Sequence, residues 1–487
     1  MVKASPQTAT PSGPPGAGQG PELIVLLFVQ AMASMADALV TVSAPAIQSG
    51  LHVSGAALQL VASGFVLAYA VVLMTGARLG DYGYRRLFLS GLALFTAAAA
   101  LSGAAPVGWA LIAGQLLQGF GAALMVPQVL SLIQLRFSGL ARSRALALYS
   151  MVLAAGVAAG QLLGGLLITT NLFGLTWRLM FLIQVPAGAA ALIAARLTLP
   201  ATRAQVRRPL DIPGVLVLSV ALLATVVPLT FGNSEHWPSW TVITLVAGLV
   251  GLVAFIGLQR AAAAGGGHPL LDVRAVHPAG VKSGLLVVFL VMGGYGALLF
   301  TTALHLQQGY GYTPLRSGLT FATYAAGFAA VNLTWSRLPQ PLHPIVPVCG
   351  LAILAAAEAA LAIAVRTGWS YAIAGPLLLT AGAGHGAGFG ALVPQLTARV
   401  QAAHIPTLSG LITTITQLGI AAGIATLGGL YLAIAHPGRP ATSDHAMSAV
   451  VLILAIASAA AAGLALQVTI SSRTQRQAGP LTTPAER

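Results

Sequence analysis

The sequence predicts an all-α integral membrane protein with fourteen transmembrane helices, arranged as two pseudo-symmetric six-helix bundles plus two inserted helices. Three observations lead to this fold class. Fourteen long apolar stretches run through the 487 residues, basic residues cluster in alternate gaps between them, and two glycine-rich stretches of the first half recur in the same order in the second. The composition agrees, because 57% of the residues are hydrophobic and only 7% are charged.

Each apolar stretch is long enough to cross a bilayer as a helix. About 20 apolar residues span the hydrocarbon core, where backbone N–H and C=O groups find hydrogen-bond partners only within the helix itself. The predicted spans, numbered 1 to 14 in chain order, are 23–47, 54–78, 87–106, 108–134, 144–169, 178–199, 212–232, 240–259, 282–307, 315–336, 344–365, 369–397, 405–435 and 446–470.

The distribution of Lys and Arg predicts the orientation. Of the 23 basic residues, 19 lie at the chain ends or in even-numbered gaps, and the other four are Arg178, Arg316, Arg366 and Arg439. Cationic loops stay cytoplasmic, so we expect a multi-pass protein of the bacterial inner (cytoplasmic) membrane with both termini in the cytoplasm. The same loops explain the net charge of +14, so no nucleic-acid partner is expected.

The spans divide the chain into five regions. Residues 1–21, rich in Pro and Gly, are expected to form a disordered cytoplasmic tail, and residues 471–487 a second cytoplasmic tail. Residues 22–200 are predicted to form the first six-helix bundle, 201–281 a linker with two extra transmembrane helices, and 282–470 the second six-helix bundle.

The two bundles are predicted from an internal repeat. Span 4 contains Gly-Phe-Gly-Ala at 119–122, and span 12 contains it again at 388–391. Spans 5 and 13 share Gly-x-Ala-Ala-Gly, at 156–160 and 419–423. Small residues four apart allow close helix packing in lipid, and duplicated halves are typical of secondary transporters, whose substrate site lies at the midplane between them.

Several longer motifs occur at fixed places along the spans. The loop after span 2 reads Gly-Asp-Tyr-Gly-Tyr-Arg-Arg (80–86), and span 4 contains Gly-Gln-Leu-Leu-Gln-Gly-Phe-Gly-Ala (114–122). Span 5 carries its glycines between 156 and 165, and span 6 opens with Trp-Arg-Leu-Met-Phe-Leu-Ile-Gln-Val-Pro-Ala-Gly (177–188). Together these motifs resemble the major facilitator superfamily, specifically its fourteen-spanner drug:proton antiporter branch, over residues 25–470.

The resemblance implies roles for two sets of residues. The loop after span 2 is similar to a cytoplasmic gate signature, which implies a latch formed by Gly80, Asp81, Arg85 and Arg86. The glycines of span 5 are similar to the antiporter motif, which comprises Gly156, Gly160, Gly164 and Gly165. Several positions depart from the family pattern. Gln115 replaces the Arg of span 4, Gln161 the Pro of span 5, Tyr82 an Arg of the loop after span 2, and Thr416 the Arg of span 13.

Ionisable side chains within the spans are candidates for proton coupling, because such groups are costly in a membrane unless they are paired or hydrated. Asp37 in span 1 is the first candidate, since desolvation favours the neutral form of an isolated carboxylate and Gln115 supplies no opposing cation. His385 in span 12 and Glu358 in span 11 are the other two. Each also has a purely structural interpretation as a hydrogen-bonded residue. For His305, near the outer end of span 9, we expect an interfacial role.

Neutral side chains are expected to line the substrate cavity. The candidates are four amides and one aromatic ring, namely Gln115, Gln118, Phe120, Gln161 and Gln417. A pocket of amides and apolar walls with few charges favours neutral or weakly charged molecules of polycyclic or macrolactone type.

The predicted function is a secondary active multidrug or natural-product efflux transporter that works by proton antiport and alternating access. One alternative is a proton-coupled importer or symporter of a small metabolite on the same scaffold. Another is a membrane-embedded enzyme, although the sequence has no His-rich metal box and no acidic pair at a membrane face. We expect no cofactor and no metal, with the proton gradient as the energy source. The expected partners are a small lipophilic substrate and membrane lipid, and the expected state is a monomer.

Overall fold

A computed structural model describes residues 19–80, 83–200, 211–232, 237–267, 273–401 and 404–477. The helices, in chain order, are α1 (Gln19–Leu51), α2 (Gly55–Leu79), α3 (Tyr84–Ala104), α4 (Gly108–Arg136), α5 (Gly139–Thr170), α6 (Arg178–Leu182), α7 (Gln184–Thr198), α8 (Ile212–Gly232), α9 (Ser239–Ala264), α10 (Val281–Leu304), α11 (Pro314–Thr334), α12 (Val346–Val365), α13 (Tyr371–Thr397), α14 (Ile405–Gly423), α15 (Gly429–Ile434) and α16 (Pro440–Gln477).

The predicted all-α membrane fold is confirmed. Within the described residues, 13 helical segments are long and apolar enough to cross a membrane. The predicted span that is not among these 13 is span 10 (315–336), which corresponds to the 21-residue helix α11. Spans 6 and 13 are interrupted, because α6 and α7 are separated at Ile183 and a π-helical turn, Ile424–Gly428, joins α14 to α15. A second π-helical turn, His305–Gly309, follows α10.

The helix ends differ from the prediction where polar residues extend a helix beyond its apolar stretch. α1 begins at Gln19, within the predicted tail 1–21, and α16 runs from Pro440 to Gln477 rather than over 446–470. Proline fits the first turn of a helix because its missing N–H has no partner there. Hydropathy detects only the part of a helix that lies in hydrocarbon, so it did not predict these polar extensions of α1 and α16. Residues 1–18 and 478–487 lie outside the described residues.

Both ends of the described chain lie on one face of the molecule, here named the terminal face. Arg136, at the end of α4, forms a two-point ion pair with Glu22, at the start of α1, at 2.9 and 3.0 Å. Arg399, after α13, donates to the carbonyl of Ala279 just before α10, at 2.6 Å, and also to that of Val468 in α16. The opposite face, where α1 and α10 end, is named the distal face.

The two halves of the chain repeat the same helix pairings. In the first half α3 packs on α4, α1 on α5 and α2 on α4, and in the second α12 packs on α13, α10 on α14 and α11 on α13. Glycines allow these close approaches. A Cβ atom on Gly121 would lie 2.9 Å from the carbonyl oxygen of Gly91, and one on Gly384 would lie 2.7 Å from that of Gly350. The repeat therefore produces two pseudo-symmetric bundles.

The two inserted helices pack on each other and cover one side of the junction between the bundles. A Cβ atom on Gly248 of α9 would lie 2.7 Å from the backbone of Thr225 in α8. Gln259 of α9 donates to Asp211, just before α8, at 2.6 Å. α8 in turn contacts α2 and the π-helical turn Ile424–Gly428, so the insert lies beside the contact between α2 and α14.

Candidate functional site

The two bundles meet at the distal face, along a contact here named the distal seam, formed by α1, α2 and α5 against α10, α11 and α14–α15. At its centre, the amide of Gln307 donates to the carbonyl of Val42 at 2.9 Å, and Gln308 donates to Gln48 at 2.7 Å. Both acceptors belong to the distal half of α1, so the π-helical turn after α10 is fastened to the end of α1.

The glycine motif of α5 builds one flank of the distal seam. A Cβ atom on Gly165 would lie 2.8 Å from the Cα atom of Leu315, and one on Gly318 of α11 would lie 2.7 Å from the carbonyl oxygen of Gln161. The backbone N–H of Leu315 donates to the hydroxyl of Thr169 at 3.1 Å. These close backbone contacts are possible because each has a glycine on one of the two helices.

The other three glycines of the motif face α1. Cβ atoms on Gly156, Gly160 and Gly164 would lie 2.6 to 2.8 Å from Ser34, Met35 and Val42, respectively. α5 is therefore a shared element, since one side of it packs on α1 of its own bundle and Gly165 packs on α11 of the other.

The second bundle repeats this junction. A Cβ atom on Gly419 of α14 would lie 2.7 Å from the carbonyl oxygen of Phe289 in α10, and Gly423 lies directly against the backbone of Gly293. A Cβ atom on Gly428, in the π-helical turn after α14, would lie 2.8 Å from Phe300 of α10 and 3.6 Å from Gln59 in α2. Gly419 and Gly423 of α14 thus pack on α10, and Gly428 of the following turn lies between α10 and α2. The α5 glycines lie between α1 and α11 in the same way.

Two of the predicted cavity amides form a chain inside the first bundle. Gln118 donates to Gln184 of α7 at 2.8 Å, and Gln184 donates to the carbonyl of Met180 at 2.9 Å. Gln115 donates weakly to Gln118 at 3.4 Å. Gln115 and Gln118 are no more than 1% exposed, so these amides are enclosed between α4 and α7 rather than placed on an open surface.

The other predicted cavity residues fall in separate environments. Gln161 is buried at the contact of α5 with α1, where it donates to the carbonyl of Ala38 at 3.1 Å. Phe120 is 41% exposed on α4, and Gln417 is largely buried on α14. Contacts between the described residues do not gather the five candidates into one pocket, and their role in a substrate cavity stays a prediction.

His385 lies at the centre of an aromatic cluster in the second bundle. Its Nδ1 atom is 2.6 Å from the hydroxyl of Tyr324, and the rings of Phe328, Tyr295 and Phe389 surround it at 4.9, 5.7 and 6.1 Å. His385 is only 2% exposed, whereas the other three rings are partly exposed. Such a cluster presents ring faces and edges that can stack on a planar apolar molecule.

The remaining candidates for proton coupling are placed differently. Glu358 is buried on α12 and accepts a hydrogen bond from Ser458 of α16 at 2.7 Å. The backbone of Asp37 is part of α1, but its side chain lies outside the described part of the structure. Its neighbours on α1 can be placed, because a Cβ atom on Gly160 would lie 2.7 Å from the Met35 carbonyl and 2.9 Å from the Ala38 side chain.

The predicted gate loop is described in part. Arg85 donates to the carbonyl of Arg196 at the end of α7 at 2.8 Å, and Arg86 is exposed. Gly80 is buried against Gln128 of α4. Asp81, the carboxylate expected to complete the latch, lies outside the described residues.

One polar cluster was not predicted from the sequence. His305 is fully buried, which corrects its expected interfacial role, and its Nδ1 atom is 2.8 Å from the hydroxyl of Ser443. Its Nε2 atom lies 3.7 Å from Asp444, which accepts from the Tyr310 hydroxyl at 2.8 and 2.9 Å. Burial raises the pKa of Tyr310, so this hydroxyl keeps its proton and remains a donor. Asp444 lies before the predicted span 446–470, so it was not considered among the ionisable residues within the spans and the cluster was not predicted.

Known proteins share both the sequence pattern and the fold. The family model of the Major Facilitator Superfamily matches residues 26–424. A probable actinorhodin transporter of Streptomyces coelicolor is 32% identical, and the match covers 84% of this chain and 73% of that protein. A cephamycin export protein of Amycolatopsis lactamdurans is 33% identical, with 61% of this chain and 60% of the relative matched.

A third relative and a solved structure are also similar to this chain. A tetracenomycin C resistance and export protein of Streptomyces glaucescens is 32% identical, with 61% of this chain matched. The chain spans 55% of that relative's length, and less than two thirds of the cephamycin protein as well. A solved structure of a bacterial homologue of the human lysosomal transporter Spinster has a TM-score of 0.69 with this chain at 17% identity. The match covers 96% of this chain and 100% of that chain. The repeated bundles, the matched family model and these relatives agree, and the chain belongs to the Major Facilitator Superfamily.

Proposed function

We propose that this protein exports a hydrophobic natural product or drug across the bacterial cell membrane in exchange for protons. The relatives named for actinorhodin transport, cephamycin export and tetracenomycin C resistance and export support an antibiotic-like substrate. Export against a gradient requires alternating access, in which two bundles rock about a midplane site.

The observation that carries this proposal is the closed distal seam. The contacts that fasten the bundles together there are two amide hydrogen bonds to α1 and the glycine contacts of α5 and α14. Small residues let helix backbones from the two bundles approach closely without large interlocking side chains between them. The seam therefore suits a joint that opens and closes in each transport cycle.

The orientation follows from the basic residues. Arg85, Arg136 and Arg399 lie at the terminal face, where most of the basic residues are predicted to be, and cationic loops stay cytoplasmic. The terminal face is then cytoplasmic and the distal face external. With its distal seam closed, the structure corresponds to a state that is closed to the external side.

The substrate and the proton occupy different bundles in this proposal. The aromatic cluster around His385 supplies stacking surfaces in the second bundle, which favours planar, neutral or weakly charged molecules. Asp37 of the first bundle is the proposed proton carrier. Met35 and Ala38 beside it contact Gly160, so a change at Asp37 reaches α5 and, through Gly165, the distal seam.

Growth and accumulation in a pump-deficient bacterial host test the function. We expect the protein to lower the intracellular level of aromatic polyketide antibiotics, and a protonophore to abolish this effect. Efflux that persists in the protonophore would contradict proton antiport, and unchanged accumulation of every compound in a broad antibiotic panel would contradict export itself.

A further inference from the structure

We propose that His305 and Asp444 form a second proton-binding site, which controls the distal seam so that an acidic external solution favours its closure. The proposal rests on the proposed orientation of the protein, with the distal face outside. It does not require Asp37, and it assigns the pair a function other than carrying the transported proton.

The two side chains form a pair, of which His305 is fully buried and Asp444 is 13% exposed, and one added proton completes it. His305 has no exposed surface, and within the described residues its Nε2 atom has no hydrogen-bond partner. That atom lies 3.7 Å from a carboxylate oxygen of Asp444. The rings of Trp369 and Tyr310 enclose the imidazole at 5.2 and 5.3 Å, and Ser443 bonds its Nδ1 atom.

The groups around the pair come from several elements. Tyr431 of α15 bonds Ser443 at 2.6 Å, and the Tyr310 hydroxyl also accepts from the backbone N–H of Trp369 at 2.7 Å. Two cations lie beyond this first layer, since Arg366 bonds Ser448 of α16 and Arg316 lies over the ring of Tyr312. The titratable groups that face His305 or its direct partners are thus Asp444, Tyr310, Tyr312 and Tyr431, and the two cations of the next layer are Arg316 and Arg366.

The pair is mechanically connected to the seam. His305 is the first residue of the π-helical turn His305–Gly309, and the same turn carries Gln307 and Gln308, which bond α1 across the seam. A Cβ atom on Gly309 would collide with Ser443, so the turn and α16 are in direct contact. π-helical turns are short insertions that frequently mark functional sites, and a shift of this turn moves both glutamines.

The direction of the effect follows from charge. With one proton shared between them, a histidine and a carboxylate are together either a neutral pair or an ion pair of zero net charge. Loss of that proton leaves a negative charge on the largely enclosed Asp444 beside an unpaired ring nitrogen, which is costly in a medium of low dielectric. The closed seam, in which His305 is fully buried, therefore binds the proton more tightly than an open, hydrated seam. By linkage, proton binding favours closure.

The distance between the bundles at the distal face tests the proposal directly. Spin labels on Ser49→Cys and Thr367→Cys, in a background that also carries Cys349→Ser, report that distance in purified protein in nanodiscs. Both positions are exposed on the distal side. Between about pH 8 and pH 5 we expect the ratio of closed to open molecules to rise roughly tenfold, as a tenfold difference in proton affinity between the two states requires.

Three variants separate the pair from other histidines and from folding defects. His305→Gln removes the titration, Asp444→Asn keeps the hydrogen bond from Tyr310, and His343→Gln changes an exposed histidine outside the pair. We expect the change of the closed-to-open ratio with pH to disappear in His305→Gln and Asp444→Asn and to persist in His343→Gln. If His305→Gln does not fold, Asp444→Asn decides. An unchanged response in Asp444→Asn, or no response in the parent protein, overturns the proposal.

The same preparation distinguishes this proposal from the proposed function. The distance measurement needs no substrate and no proton gradient. If the protein exports nothing but its seam closes in acid, the proposed function is contradicted and the inference about His305 and Asp444 is supported. If the protein exports in exchange for protons but its seam does not respond to pH, the function is supported and the inference is contradicted.

Discussion

Gly165 of α5 lies directly against the backbone of Leu315 at the start of α11, close enough that an added Cβ atom would be 2.8 Å from the Leu315 Cα. This contact joins the two bundles through a motif that also packs α5 on α1. A sequence pattern similar to that of drug antiporters is therefore located at the joint that must open for export.

A side chain at Gly165 should prevent closure of the distal seam. Overpacking of a close contact costs about 2 kcal/mol, which lowers the ratio of closed to open molecules roughly 30-fold. The initial rate of export from cells should therefore fall. Gly463→Val in α16 is the control, since a Cβ atom there would meet nothing within 4 Å. Export by Gly165→Val at the parent rate would contradict the role of this contact.

The buried amide chain of the first bundle should contribute to stability rather than to substrate binding. Gln118→Leu removes the donor of the 2.8 Å hydrogen bond to Gln184 and leaves a buried acceptor unpaired, at a cost of about 1 kcal/mol. Thermal unfolding in detergent should show this loss, and the double variant Gln118→Leu, Gln184→Leu should recover part of it. Loss of transport in a variant of undiminished stability would instead assign these amides to the substrate path.

The partly exposed rings around His385 should determine affinity for aromatic substrates. Phe328→Ala removes the ring nearest to the imidazole, at 4.9 Å, and one aromatic contact contributes about 1 kcal/mol. The KM for a planar polycyclic substrate should rise roughly fivefold, with little change for a non-aromatic one. Trp109→Ala, which alters an exposed ring elsewhere on the protein, is the control, and an equal effect on both substrate types would contradict the assignment.

Neutralisation of Asp37 should separate transport from its energy source. In proteoliposomes, Asp37→Asn should keep substrate exchange between two equal pools but lose accumulation driven by a pH gradient, because no carboxylate remains to carry the proton. Asp211→Asn is a matched control. Asp211, just before α8, accepts hydrogen bonds from the N–H of Gly214 in α8 and from Gln259, and the Oδ1 atom of asparagine can keep one of them. Gradient-driven accumulation by Asp37→Asn would exclude it as the carrier.

The fold was largely predictable because hydrophobic length and basic loops are strong signals in membrane proteins. The features that escaped prediction depend on local backbone geometry. Apolar composition does not distinguish an α-helical turn from the π-helical turns His305–Gly309 and Ile424–Gly428. The polar first turns of α16 look like a loop by hydropathy, so Asp444 was not recognised as part of a helix.

The site was less predictable, since the side of a helix that faces the cavity is difficult to identify when lipid-facing and protein-facing sides are both apolar. Gln118 was predicted to line the cavity, which stays a prediction, and its hydrogen bond to Gln184 inside its own bundle could not be inferred from the sequence. His385 could be singled out by the glycines around it, whereas its contact with Tyr324, 61 residues earlier, depends on tertiary packing. His305 and Asp444 are likewise brought together only by the packing of α10 and α16.

Proton-coupled export is tested most directly by the response of purified protein in liposomes to an imposed pH gradient. With the membrane potential clamped, we expect an aromatic polyketide to accumulate against its concentration gradient on the acidic side, and to cause proton movement in the opposite direction that a pH-sensitive dye records. Accumulation of the same size without a pH gradient, or substrate movement without proton movement, would contradict the proposed antiport.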